Sequence, residues 1–213
     1  SNGPVGVAIG DLHTAASIFA LASDTQVTRH LDVVPAGEVA GPAIALAKLG
    51  ARVGLMDADV YGPSIPTIMG ATTPPTAQNG TIVPVLRYGV KIVSMGFFVP
   101  KGEATIWRGP MLSKMIDKFL GGVEWGELDY LLVDLPPGTG DVQLSLCQKI
   151  PLTGAAVVST PQDLAFNVAE KAIFMFTKLR TPVLGLVENM SGFECRHCGH
   201  REEIFGSGGA PGF

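Results

Sequence analysis

The chain has 213 residues, with 15 Lys and Arg against 19 Asp and Glu, a formal net charge of −4. A mildly acidic balance excludes the concentrated basic face that a nucleic-acid backbone binder needs. Hydrophobic residues at 46% and charged residues at 16% exclude a disordered chain and leave ample material for a core.

No apolar run reaches the ~18 residues of a membrane-spanning helix. Residues 1–22 lack the basic start and cleavage pattern of a signal peptide. Three cysteines are too few for a disulfide scaffold and fit a reducing cytoplasm. The expectation is a single loop-rich α/β domain over 1–213, cytoplasmic, without nucleic acid or membrane as a partner, and with residues 1–42 unassigned.

Along the chain, short apolar runs end in polar or turn-forming clusters. Ala51–Met56 runs into Asp57-Ala58-Asp59, and Leu128–Val133 runs into Asp134-Leu135-Pro136-Pro137-Gly138. Ala155–Ser159 stops at Thr160-Pro161, and Val183–Val187 at Glu188-Asn189. Such runs predict parallel strands covered on both faces. Gly41–Leu49, Pro110–Leu120, Val142–Gln148 and Leu164–Leu179 are predicted helices between them, which gives the alternation of a doubly wound, mostly parallel sheet with helices on both faces. Residues 72–93 break the rhythm. Asn79-Gly80 between two β-prone stretches predicts a β-hairpin insertion with a tight turn.

Ligands of such sheets sit beyond the carboxyl ends of the strands, so the polar clusters are the candidate sites. Asp134 at a strand tip, followed by a Gly-rich loop and Asp141, can hold a magnesium ion through its water shell beside a phosphate site. An isolated Asp after a strand is more often a cap or turn residue, whereas the whole string DLPPGTGD is far more specific. Asp57 and Asp59 fall on one side of an extended stretch by period-2 geometry and can position water or a metal ion.

Cys195-Arg196-His197-Cys198 is a C-x2-C pair with His200 two residues on. Two thiolates at this spacing suit an iron–sulfur cluster or zinc, but are half of a tetrahedral set. A second pair across a dimer axis completes it for a bridging cluster; His200 as a third ligand is the zinc alternative, and a redox disulfide is a further one. Cys147, on a predicted helix, reads as a small buried apolar residue. Met95–Phe98 and the stripe over Phe166–Phe176 read as core, and Trp107-Arg108 as residue types common at dimer surfaces. His13 and His30 carry no assignment.

The segments Gly50–Gly70, Trp107–Met111, Asp129–Ser145, Val157–Ala165 and Val183–Ala210 together resemble the Mrp/ApbC family, P-loop ATPases of the MinD/ParA kind that carry iron–sulfur clusters. The resemblance runs through about residues 43–210. It implies a MinD-like P-loop NTPase fold, ATP hydrolysis with ATP and Mg, and a homodimer with nucleotide at its interface. It also implies a [4Fe–4S] cluster bridging the subunits and delivered to apo iron–sulfur proteins. By position, Asp57 and Asp59 match the family's first switch, Asp134 its Walker B carboxylate and Asp141 its second switch. Asn189 matches the asparagine that reads the adenine base, and Cys195 and Cys198 the cluster ligands.

One element departs from the family. A loop of the type GKGGVGKS, whose N–H groups and lysine cradle phosphates, has no counterpart here. Val33–Ala43 offers two glycines and a strand-like start, with Pro42 tolerable near a helix start; alternatively Val5–Ile9 is the first strand. Neither supplies the lysine, so charge-assisted contacts to phosphate are lost and the expectation of tight ATP binding weakens. A nucleotide-independent metal-binding scaffold of the same fold is the alternative. A MinD/ParA-like positioning ATPase is another, disfavoured by the cysteine pair and by the lack of a basic amphipathic tail. The chain stops at Phe213, where the family usually continues with further sheet and helix, so the C-terminal part of the family domain is expected to be missing.

Overall fold

Apolar runs of five or six residues are too short for helices and too apolar for loops, and here they stack into one seven-stranded sheet. The computed structural model describes residues 16–22, 39–98, 109–136, 139–149, 152–195, 197–203 and 206; for 16–22, 109, 141 and 142 it describes the backbone only.

In chain order, β1 (Ala16–Ala22) precedes α1 (Ala40–Lys48) and β2 (Val53–Asp57), then α2 (Ile65–Ile68). Two small hairpins follow, β3 (Thr76–Gln78) with β4 (Thr81–Val83), and β5 (Val85–Arg87) with β6 (Val90–Ser94). Next come α3 (Gly109–Gly121), β7 (Tyr130–Leu135), α4 (Asp141–Lys149), β8 (Gly154–Ser159), α5 (Asp163–Lys178) and β9 (Val183–Glu188). A last hairpin pairs β10 (Phe193–Glu194) with β11 (Arg201–Glu202). The main sheet runs β5-β6-β2-β7-β1-β8-β9. β6, β2 and β7 are mutually parallel, as are β8 and β9, while β5 and β1 run antiparallel to their neighbours. The predicted helices agree with α1, α3, α4 and α5 to within a residue at each end.

Alternation along each strand sorts the core into two faces. Met56, Val133 and Leu135 pack with Ile116 and Phe119 of α3, Leu146 of α4 and Phe176 of α5. Val53, Leu55, Ile92, Leu132 and Val158 pack on the other face with Ala43 and Leu46 of α1 and with Ile65 of α2. Helices therefore cover both faces, as a doubly wound sheet requires.

Three details differ from the expectations. The residues taken together as an insertion are two hairpins, and only the first stands apart from the main sheet. Its turn is Asn79-Gly80 as predicted, both left-handed at φ 51° and 82°. The second turns at Tyr88-Gly89, φ 51° and 79°, and returns as β6, a parallel strand of the main sheet.

The first strand among the described residues is Ala16–Ala22, and it enters the slot between β7 and β8 antiparallel to both. Val5–Ile9 and residues 33–38 lie outside the described residues, as do Trp107 and Arg108. Pro42 sits in the first turn of α1, where its missing N–H is no loss. Finally, β9 is an edge strand and is not buried on both faces: Leu184 and Val187 are exposed.

Candidate functional site at the strand tips and the cysteine hairpin

Parallel register brings the polar tips to one end of the sheet. Asp57 of β2 lies level with Asp134 of β7 on one side and Ser94 of β6 on the other. The N–H of Ala58 donates to the carbonyl of Asp134 at 2.8 Å, which ties the first polar cluster to the second. On the far side of β1, Ser159 of β8 is level with Glu188 of β9. The N–H of Asn189 donates to the Ser159 carbonyl at 2.7 Å.

The two carboxylates of the first cluster do different work. Asp57 is fully buried, its Oδ1 accepting the N–H of Asp59 at 3.0 Å and its Oδ2 the hydroxyl of Ser94 at 2.7 Å. Burial pushes its carboxyl up to about 7, opposed by the hydrogen bonds from Ser94, Asp59 and Ile65. In this arrangement Asp57 ties β2, β6 and the start of α2 together. Asp59 lies past the strand end, where its Oδ1 accepts the N–H groups of Tyr61 at 2.9 Å and Gly62 at 3.2 Å. That turn leaves Tyr61 87% exposed at the site's rim.

Asp134 is buried at the tip of β7, and α4 reaches back to the loop beyond it: Gln143 Nε2 donates to the Pro136 carbonyl at 2.5 Å. Asp141 is the first residue of α4, and its side chain lies outside the described residues. The sequence reading missed Ser94 and Gln143. Ser94 lacks any motif, but a β-branched run ending in a hydroxyl, Val90–Ser94, was the available signal.

Because β1 runs antiparallel, Ala16 is the end level with Ser159, and Ala22 lies at the opposite end of the sheet. No lysine precedes Lys48, which lies in the last turn of α1. Asp57, Asp59 and Asp134 gather at these tips, and the described residues hold no counterpart of the phosphate-gripping lysine.

The cysteine pair occupies the turn of the β10–β11 hairpin. Cys195 N–H donates to the His200 carbonyl at 2.8 Å, and Gly199 N–H to the Cys195 carbonyl at 2.8 Å. Gly199 adopts φ 69°, a conformation that favours glycine. The Cys195 thiol is drawn below its ordinary pKa, first by the N–H of Cys198, then by the N–H of His197 and the Cys198 thiol. Thiolate is the form that binds metal. Cys195 is half-buried and Cys198 exposed, so the pair can be reached from solvent. Among the described residues no three His, Cys, Asp or Glu side chains gather as a metal site. Cys147 packs against the core from α4 but is half-buried rather than fully enclosed as expected, and burial raises its thiol pKa.

A doubly wound sheet with carboxylates at its parallel strand tips is an architecture that P-loop NTPases share, and a family match assigns the chain to that class. The ParA model, described as NUBPL iron-transfer P-loop NTPase, matches residues 39–212, and the chain belongs to that family. The iron–sulfur cluster carrier protein of Escherichia coli (strain K12) is 54% identical over 170 residues, 79% of this chain and 46% of that protein. The iron–sulfur cluster transfer protein NUBPL of Mus musculus is 54% identical over 159 residues, 74% of this chain and 50% of that protein. The chain thus spans about half the length of these curated relatives. A solved structure of a nucleotide-binding protein from Archaeoglobus fulgidus in complex with ADP superposes with a TM-score of 0.66 at 46% identity. It covers 78% of this chain and 65% of that one. Among the described residues no helix is long and apolar enough to cross a membrane.

Proposed function

We propose that this chain carries an iron–sulfur cluster on Cys195 and Cys198 and passes it to apo iron–sulfur proteins. The observation that carries the reading is the hairpin turn itself. N–H groups of Cys198 and His197 converge on the Cys195 sulfur while Cys198 stays exposed. This favours bound thiolate yet leaves the cargo accessible for transfer. The names of the bacterial and mouse relatives support it.

Two ligands per chain are half of what a [4Fe–4S] cluster takes. A second copy across a two-fold axis supplies the other half, so the carrier acts as a homodimer with the cluster between its hairpins. A reducing cytoplasm keeps the pair available as thiols. Reconstitution with iron and sulfide tests the reading: the cluster's visible absorbance should develop, and should fail to develop in Cys195→Ala/Cys198→Ala.

Asp57, Asp59, Asp134 and Asp141 serve a nucleotide site on this reading, with Asp134 as the magnesium carboxylate and Asn189 reading the base. The direction of β1 and the lack of a lysine before Lys48 favour a second reading of this part. On that reading cluster carriage is independent of nucleotide, and no hydrolytic step is assigned. Calorimetric titration with Mg–ATP separates them. Micromolar binding excludes the nucleotide-independent scaffold, and no detectable heat upholds it.

A further inference from the structure

The β10–β11 ladder has two residue pairs, Phe193 with Glu202 and Glu194 with Arg201, and all four residues are exposed. A two-stranded hairpin of this size does not hold its own geometry in water, yet the cysteine pair depends on it. One foot is secured through the backbone. Asn189 N–H bonds to Ser159, Met190 turns left-handed at φ 59° with its N–H on Asn189 Oδ1 at 2.9 Å, and Ser191 is buried.

The returning strand is secured by a side chain. The guanidinium of Arg201 folds back across Gly192. A methyl group built at Gly192 would lie 2.7 Å from Arg201 Nε, 3.2 Å from Nη2 and 3.3 Å from Cζ. Gly192 is not among the glycines at positive φ, so backbone conformation does not demand glycine there. The guanidinium of exposed Arg201 occupies the space beside it, and a methyl group there would displace that flexible end.

We propose that Arg201 is a positioning residue for Cys195 and Cys198: its guanidinium clasps Gly192 and fixes the attitude of the cysteine hairpin on the end of β9. The clasp joins the free strand of the hairpin to the segment anchored on β8. Gly192 and Arg201 therefore act as one unit. The inference rests on the reading of the cysteine pair as cluster ligands, and its test separates the two.

The test compares wild type, Arg201→Ala, Gly192→Ala and the double variant after anaerobic reconstitution with iron and sulfide, following loss of visible absorbance to an iron chelator. Both single variants should lose cluster roughly tenfold faster, the scale of losses when a group orienting a metal ligand is removed. The double variant should be no faster than either single, since each breaks the same clasp. A wild-type rate in Arg201→Ala overturns the inference and leaves cluster carriage standing.

Should wild type take up no cluster, the carriage reading fails instead, and amide hydrogen exchange of the cluster-free protein decides the clasp. Faster exchange at Cys195 and Gly199 in Arg201→Ala, with Asn189 unchanged, upholds it. Unchanged exchange at Cys195 and Gly199 overturns it.

Discussion

The hydroxyl of Ser94 donates a 2.7 Å hydrogen bond to Oδ2 of Asp57, joining the tips of two adjacent parallel strands out of reach of water. Ser94 Oγ in turn accepts the N–H of Gly96 at 2.9 Å, and Asp57 Oδ1 accepts that of Asp59. The strand tip and both loops leaving it thus share one buried carboxylate.

Ser94→Ala should destabilise the protein by about 1–3 kcal/mol, the cost of depriving a buried acceptor of a donor. Urea denaturation measures it. A change within about 0.5 kcal/mol, ordinary for a surface substitution, would show that the Ser94–Asp57 bond carries little.

The same carboxyl sets a pH dependence. Burial raises Asp57 to about 7 in the folded chain from 3.8. Between roughly pH 4 and 7 the unfolded chain has released a proton that the folded chain retains, so stability is highest below this window and falls as pH rises through it. Asp129, lowered to about 2 by Arg52, acts in the opposite sense, but its contribution is gained below the window. Stability against urea at pH 5 and pH 8 should therefore differ in favour of pH 5, and Asp57→Asn should flatten the difference. An undiminished slope in Asp57→Asn would assign it to another group.

Gly54 sits mid-strand in β2, where a methyl group would lie 2.8 Å from Leu128 Cδ1, 2.9 Å from Leu131 Cδ1 and 3.1 Å from Trp125 Cε3. Gly54→Ala should cost about 1–3 kcal/mol through overpacking. Gly121→Ala, at the end of α3 with nothing within 4 Å, should be neutral or slightly stabilising. Paired denaturation curves check both, and equal effects would count against the crowding at Gly54.

Much of this arrangement is written in local pattern. α1, α3, α4 and α5 follow apolar spacing and turn residues, and the tips at Asp57, Asp134, Ser159 and Glu188 follow apolar runs that end abruptly. Asn79-Gly80 declares its turn because both positions need left-handed φ. What local pattern does not carry is partnership. Ala16–Ala22 is a plausible strand in either direction, and only pairing with β7 and β8 makes it antiparallel. Val90–Ser94 follows a second tight turn, so it reads as the arm of an insertion until its parallel pairing with β2 is seen. That concealed Ser94, and with it the reason Asp57 faces inward. The clasp between Gly192 and Arg201 was equally silent, because it joins residues across a turn whose notable members are the cysteines.

The central claim is that Cys195 and Cys198 hold the cargo, and its most direct test is iron and labile sulfide bound per chain after anaerobic reconstitution. About two of each per chain, one [4Fe–4S] cluster for every two copies, are predicted for wild type and for Cys147→Ala, with background levels in Cys195→Ala/Cys198→Ala. Full retention of iron and sulfide in the double variant, or none in wild type, would contradict it.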